Sequence, residues 1–372
     1  LMKFKARKLV LFIGVGLLIF TLSACKDLRN DKDANSGKDV KKEESIDEKE
    51  VIRSPFTGLE TTEDTLRRRP FAVMLDNHFD AIPQSGLNQS DMIYEFKAEG
   101  EFTRYMAIFQ SQSPSVIGPI RSARPYFVDT AKEYNAIYAH WGGSEMGYAE
   151  IPKIKVDDLD GIALEGITFY RNKDVKKKRP HDGYSSIDLM TKQSEKYKYD
   201  LVSDNKAFNF DTSENLDEIK KQMGDEICNS ITLNFFKHYK EKYEYDANTN
   251  KYRIIRNEKN VTDEADGKDV LVSNLIVEFA SSKVTGPLGT LTIDIVGQGK
   301  GLLLTNGKII NINWQKDDPS QRTKFTTQDG KEIILSPGQT WVSVLDPKDI
   351  IEKEPSQEKN ADENSSDNVE SK

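Results

Sequence analysis

The sequence predicts a mixed α/β N-terminal domain followed by an all-β C-terminal domain, sandwich or barrel-like, and three observations carry that expectation. Strand and helix signals alternate over residues 51–195. Over residues 229–350, β-branched and aromatic runs alternate with Gly-containing turns. Between them, residues 196–228 include a Lys- and Asp-rich stretch and read as a connecting segment.

The chain begins with a basic stretch, Lys3, Lys5, Arg7 and Lys8, before an apolar run from Leu9 to Phe20 that is too short for a good membrane span. Leu22-Ser23-Ala24-Cys25 follows and resembles the lipobox of bacterial lipoproteins. The resemblance implies that residues 1–24 are a signal peptide, that Cys25 is acylated, and that the chain is held at the cell membrane on its extracytoplasmic face. More than one acyl chain on one residue anchors stably without a spanning helix. Loss of the four basic residues takes the formal net charge from −8 to about −12. No nucleic-acid partner is expected, because that needs a broad basic face. Of the two cysteines only Cys228 then remains, so no intrachain disulfide is possible and Cys228 reads as a small core residue.

Lys26 to Glu50 alternates Lys, Asp and Glu with almost no apolar residue, a solvated tether with a reach of about 25–30 Å. Residues 351–372 are acidic and polar and are expected to be a disordered tail. In the first domain, Phe71-Ala72-Val73-Met74-Leu75 is continuously apolar, the pattern of a strand buried on both faces. It ends in Asp76-Asn77-His78, and polar groups just past the carboxyl end of such a strand are where open α/β sheets place ligands. Asp91–Phe96 and Phe102–Gln110 read as a hairpin around Glu99-Gly100. Pro125 suits the first turn of a helix whose stripe is Phe127, Ala131 and Tyr134. Ala136–Ala139 reads as a strand, which with Tyr105 onward makes a βαβ-like unit. In the second domain, Gln298-Gly299, Asn306-Gly307 and Asp329-Gly330 have the chemistry of hairpin turns, and Trp314 and Trp341 fall in strand patterns as core.

The candidate ligand-binding residues are Arg104, Arg121 and Arg124 with Asp76, Asn77 and His140. Arg121 and Arg124 lie at the start of the Pro125 helix, whose free N–H groups favour an anion. Guanidinium forks match phosphate or carboxylate, although the same arginines can brace a fold against Asp76, Glu99 or Asp129. The run from Arg171 to His181 reads as a solvated basic loop. The four histidines show no metal spacing, and neither a metal nor a cofactor is expected. Gly142-Gly143-Ser144-Glu145-Met146-Gly147 misses the serine-hydrolase elbow by one residue, and Cys228 has no nucleophile motif around it.

Whole phrases resemble the YerB-like family of bacterial lipoproteins: Arg69 to Asn77 (RPFAVMLDN), Pro83 to Leu87 (PQSGL), Ile117 to Phe127 (IGPIRSARPYF), Ala139 to Ser144 (AHWGGS) and Pro337 to Trp341 (PGQTW). The resemblance implies a two-part architecture and an envelope location, and brings no activity. A fainter likeness, in the order of strand, Pro-Arg-type loop and strand ending in Gly-Gly, is to the LytR-CpsA-Psr phosphotransferases. The Pro-Arg-Asp phrase of that family is replaced here by Pro119-Ile120-Arg121-Ser122. Two functions follow as expectations. The first is a non-catalytic lipoprotein that binds an anionic envelope ligand, an anionic glycopolymer among them, or an envelope protein partner. The alternative is a phosphotransferase or hydrolase acting on an envelope glycopolymer or its lipid-pyrophosphate carrier, with Asp76 or His140 as base.

Overall fold

The computed structural model describes residues 51–286 and 289–354. The signal segment, Cys25, the tether and most of the expected tail lie outside the described residues.

The chain builds two main sheets. Counting their strands in chain order, the N-terminal region supplies β1 (Phe71–Asp76), β2 (Met92–Lys97), β3 (Thr103–Phe109), β4 (Ile137–His140) and β5 (Asp158–Asp160). The strand-rich C-terminal region supplies β6 (Ser230–Phe236), β7 (Tyr239–Asp246), β8 (Lys251–Arg256), β9 (Asn274–Phe279), β10 (Gly297–Thr305), β11 (Lys308–Lys316), β12 (Lys324–Thr327), β13 (Thr340–Leu345) and β14 (Ile350–Glu354). The helices are α1 (Glu63–Leu66), α2 (Pro125–Glu133), α3 (Glu145–Lys153), α4 (Ile187–Tyr197) and α5 (Asp217–Met223).

The larger sheet has the order β12-β11-β10-β9-β13-β2-β3-β1-β4-β5. It crosses the expected boundary between the two regions. β13 lies parallel between β2 and β9, so the last long strand joins N-terminal to C-terminal sequence. The sequence pattern describes two successive regions, whereas the hydrogen bonding makes them one sheet. The smaller sheet runs Lys259–Asn260, β8, β7, β6, β14.

Period-two alternation explains why β1 is apolar from Phe71 to Leu75. Phe71, Val73 and Leu75 belong to one core with Ile231, Tyr243 and Ile254 of the smaller sheet. Ala72 and Met74 belong to the other core with Phe127 and Ala131 of α2. Both faces of the large sheet are thus covered, one by a second sheet and one by helices. Pro125 opens α2 at its first turn, and Phe127, Ala131 and Tyr134 are buried as the stripe requires. Ser144, three residues before Gly147, caps α3 by accepting the Gly147 N–H at 3.0 Å.

Four local expectations change. β4 pairs in parallel with β1 rather than with β3, because β3 returns antiparallel through the β2–β3 hairpin. Gln298-Gly299 is not a turn but part of β10; a Cβ on Gly299 would lie 2.5 Å from Trp314 Nε1, so the glycine serves close packing. In the β-rich stretch expected over residues 229–350, the apolar run Leu291–Val296 has the pattern of a strand, but only Leu291–Ile293 forms one. Ile351 to Glu354, assigned to the tail, pair with β6 instead, and the ion pairs Lys353–Glu226 and Lys242–Glu354 offset an otherwise polar edge. Asn306-Gly307 does turn β10 into β11, both residues at positive φ. Trp314, Trp341 and Cys228 are buried.

Against the helical face, Glu278 of β9 is buried with its Oε1 unbonded. Burial, and then Glu133, push its carboxyl up to about 8, with Lys316 opposing. A native pKa above the unfolded value means that the folded state holds the extra proton, so stability is greatest below the unfolded pKa near 4.5 and falls as pH rises through about 8. The Glu278→Gln variant should therefore be more stable than wild type by on the order of 3 kcal/mol at pH 9 and close to it at pH 5. Parallel urea midpoints for the two proteins across that range would show that Glu278 is ionised in the fold.

Candidate functional site

The carboxyl end of β1 gathers the polar chemistry. The segment around Ile120 bridges to Leu75, with Asp76 N–H donating to Pro119 O at 2.8 Å and Arg121 N–H to Met74 O at 3.1 Å. This pairing sets Arg121 beside Asp76, Nε to Oδ2 at 3.1 Å, with the arginine side chain 25% exposed and the carboxylate 4%. His181 arrives from the basic loop and places Nδ1 2.7 Å from the same Oδ2. His78 N–H donates to Asp76 Oδ1 at 3.1 Å, and its ring stacks on that of His181 at 4.7 Å. The loop is held in place because Lys177, 6% exposed, reaches Glu264 at 2.7 Å and Pro83 O at 2.6 Å. The expected solvated basic face is therefore in part a buried anchor.

Asn77 points the other way, into the seam between the sheets. Its Nδ2 donates to Thr103 Oγ1 at 2.7 Å and to Tyr239 OH at 2.5 Å, and its Oδ1 accepts from Gln84 and from the Arg256 guanidinium. Beneath it lies a polar core. Tyr239 OH reaches Glu95 and Glu241 at 3.0 Å each, Tyr105 OH donates to Glu241 at 2.8 Å, and Trp341 Nε1 donates to Glu95 at 3.2 Å. Burial, and then the charge of Glu241, push the Glu95 carboxyl well above its ordinary range. The buried Arg256 guanidinium is the cation that faces this pair.

Above this core opens a cleft of about 370 Å³. Asn77, Tyr239 and Arg256 form its floor, Phe79 and Phe102 one wall, and Asn257, Lys259, Asn260 and Thr262 its rim. The hairpin turn at Asn257-Glu258, both at positive φ, brings the rim over the end of β1. Phe79 is 63% exposed, and behind it the His78 ring packs on Phe79 at 4.0 Å and on Phe102 at 4.5 Å. A second hollow of about 520 Å³ shares Asn257 and carries Lys237, Lys240 and Lys242.

The predicted residues separate into three places. At the end of β1 Asp76 pairs with Arg121, while the neighbouring Asn77 turns its side chain into the seam between the sheets. Arg124 and Arg104 instead converge on Glu99: Arg124 binds it bidentately, Nε–Oε1 at 2.5 Å and NH2–Oε2 at 2.9 Å, and Arg104 NH2 lies at 3.9 Å. Burial raises the Glu99 pKa, but the Arg124 hydrogen bonds and the two guanidinium charges outweigh it and hold the carboxyl low. His140 is fully buried, with Nδ1 at 2.8 Å from Gly142 O and Nε2 at 3.1 Å from Asp158. Those three side chains brace the fold, because the β2–β3 hairpin and the β4–β5 pair put acids within their reach. His181, Tyr239, Arg256 and Phe79 were not in the predicted set. Only the exposed aromatic next to Asp76-Asn77-His78 left a local signal.

Two family models match the chain. One, described as the N-terminal domain of a protein of unknown function (DUF3048), covers residues 56–200, and its C-terminal counterpart covers residues 231–342. A relative from Bacillus subtilis (strain 168), "Putative lipoprotein YerB", is 33% identical over 296 residues, spanning 79% of this chain and 86% of the relative. A crystal structure of the YerB protein from Bacillus subtilis superposes with a TM-score of 0.73 at 32% identity, covering 81% of this chain and 100% of that one. Its likeness extends over both regions, and the lipoprotein description of the relative suggests membrane association. Among the described residues, no helix is long and apolar enough to cross a membrane.

Proposed function

This chain belongs to the DUF3048 family, and from that premise we propose that it is a lipid-anchored lipoprotein on the extracytoplasmic face of the cell membrane that binds an anionic envelope glycopolymer without transforming it. The Cys25 lipid is the anchor and the cleft at the end of β1 is the binding surface. One observation carries the reading: an exposed aromatic ring, Phe79, stands beside the amides Asn257 and Asn260 and the cation Lys259 around one cleft. A sugar ring offers an apolar C–H face to an aromatic wall, and its hydroxyls suit amides that both donate and accept. Phosphate or carboxylate groups on the polymer suit Lys259 and, in the second hollow, Lys237, whereas Lys240 and Lys242 there face Glu352 and Glu354. An extended polymer can follow both hollows, which meet at Asn257.

The phosphotransferase or hydrolase alternative would need Asp76 or His140 as base. Asp76 is engaged by His181, Arg121 and the His78 N–H, and His140 is enclosed, which supports the non-catalytic reading. The test is binding of the full-length protein in detergent to purified anionic wall polymer and, separately, to undecaprenyl pyrophosphate. Phe79→Ala combined with Lys259→Ala should weaken polymer binding at least tenfold, about 1.4 kcal/mol. Arg124→Ala should leave affinity unchanged while lowering stability. Equal affinity in wild type and the cleft variant contradicts the proposal, as does loss of binding in folded Arg124→Ala. A protein partner in place of the polymer would leave both probes unbound.

A further inference from the structure

Beside the cleft, behind the Phe79 wall, His78, Asp80 and His181 bring one donor atom each to within 4.8 Å of one another. We propose that these three side chains are a binding site for a divalent transition-metal ion of the zinc class. Imidazole with carboxylate is the donor set that zinc and its neighbours favour.

The ring nitrogens are placed to meet an ion. His181 Nδ1 faces the Asp76 carboxylate, which leaves Nε2 as the nitrogen on the open side of the ring. His78 Nδ1 lies 3.7 Å from Asp80 Oδ2 and receives the Asp80 N–H in a long contact of 3.2 Å, which an ion at this nitrogen would replace. Two donor atoms on one tetrahedral ion with arms of about 2.0–2.1 Å are roughly 3.4 Å apart, so this pair is already nearly spaced for coordination. Binding would draw the His181 nitrogen and this pair closer than their present spacing of up to 4.8 Å, and Asp80, 59% exposed, is free to follow. Asp76 plays the part of the buried carboxylate that orients a metal-binding histidine through its far nitrogen. Arg121 pairs with Asp76, so its charge is compensated and the carboxylate of Asp80 is left for the ion. Three protein donors leave a fourth position open to water or to an anionic oxygen.

The site stands apart from the cleft reading, since neither Lys259 nor Asn257 belongs to it. The experiment is calorimetric titration of chelator-treated full-length protein with Zn²⁺ alone, together with the visible spectrum on adding Co²⁺. One ion per chain and an intense tetrahedral Co²⁺ band are expected. Asp80→Asn should weaken Zn²⁺ at least tenfold, and His78→Gln or His181→Gln about a hundredfold or more, by loss of a direct ligand. His238→Gln should match wild type. Asp80 is exposed, so its variant keeps the test valid even where a histidine variant fails to fold. Weak binding of several ions that Asp80→Asn leaves untouched, with only an octahedral Co²⁺ spectrum, would mean an adventitious ion only and would overturn the proposal.

Discussion

Replacing Lys316 with methionine should lower the unfolding free energy by about 3–5 kcal/mol. The Lys316 and Glu133 side chains are 0% and 2% exposed, and the ammonium lies 2.8 Å from the carboxylate. Glu133 also accepts the Thr323 N–H at 2.9 Å and the Thr323 hydroxyl at 3.1 Å. Glu133 ends α2, from the N-terminal region, while Lys316 ends β11 and Thr323 precedes β12, from the C-terminal region. Loss of the cation leaves a carboxylate enclosed with only neutral donors, and an enclosed charge without a charged partner is among the costliest changes a core can suffer. The second variant, Lys316→Met with Glu133→Leu, removes both charges and should recover part of the loss. Because one sheet carries both regions, wild type and variants should each unfold in a single denaturant transition. A loss under 1 kcal/mol, or two separate transitions, would show that the regions are less firmly joined than the hydrogen bonding implies.

The second large effect is expected at Arg256. Its guanidinium is buried, donates to Asn77 and to Tyr105 OH at 3.2 Å, and is the cation facing the Glu95–Glu241 pair. Arg256→Met should cost about 3–5 kcal/mol at pH 8. The cost should shrink at pH 5, because the uncompensated carboxyl can take up a proton and become neutral. In linkage terms the variant's folded state binds more protons than the unfolded chain, so its stability falls as pH rises. Arg256→Lys keeps the charge but loses the planar fork that spans Asn77 and Tyr105, and should lie between the two. A pH-independent loss would mean that Arg256 contributes packing rather than charge compensation.

Much of the fold is legible in local pattern. The unbroken apolar run of β1, the Glu99-Gly100 hairpin, Pro125 at a helix start and the Asn306-Gly307 turn each depend on residues close in sequence. β13 depends on partners far away. Pro337 to Trp341 reads as part of a C-terminal unit, yet its strand hydrogen-bonds in parallel to β2, and parallel pairing with a distant strand leaves no local mark. The same division holds at the site. Asp76 and Asn77 are found from their place after an apolar strand. His181 is invisible because its partner, Asp76, is distant in sequence and its own neighbours form a basic loop. Arg124 stands at a helix N-terminus, where the sequence cannot decide between an external anion and Glu99. Burial of Glu99 beside it settles that choice in favour of the internal acid.

The most direct test of the binding account is hydrogen–deuterium exchange of the full-length protein with and without purified anionic wall polymer. Protection confined to the backbone around residues 77–83, 102–104 and 256–262 is the predicted result, because these segments carry the wall, floor and rim of one cleft. Protection centred on residues 121–128, with the cleft segments exchanging as in the free protein, would contradict it and return the site to the arginine-bearing start of α2.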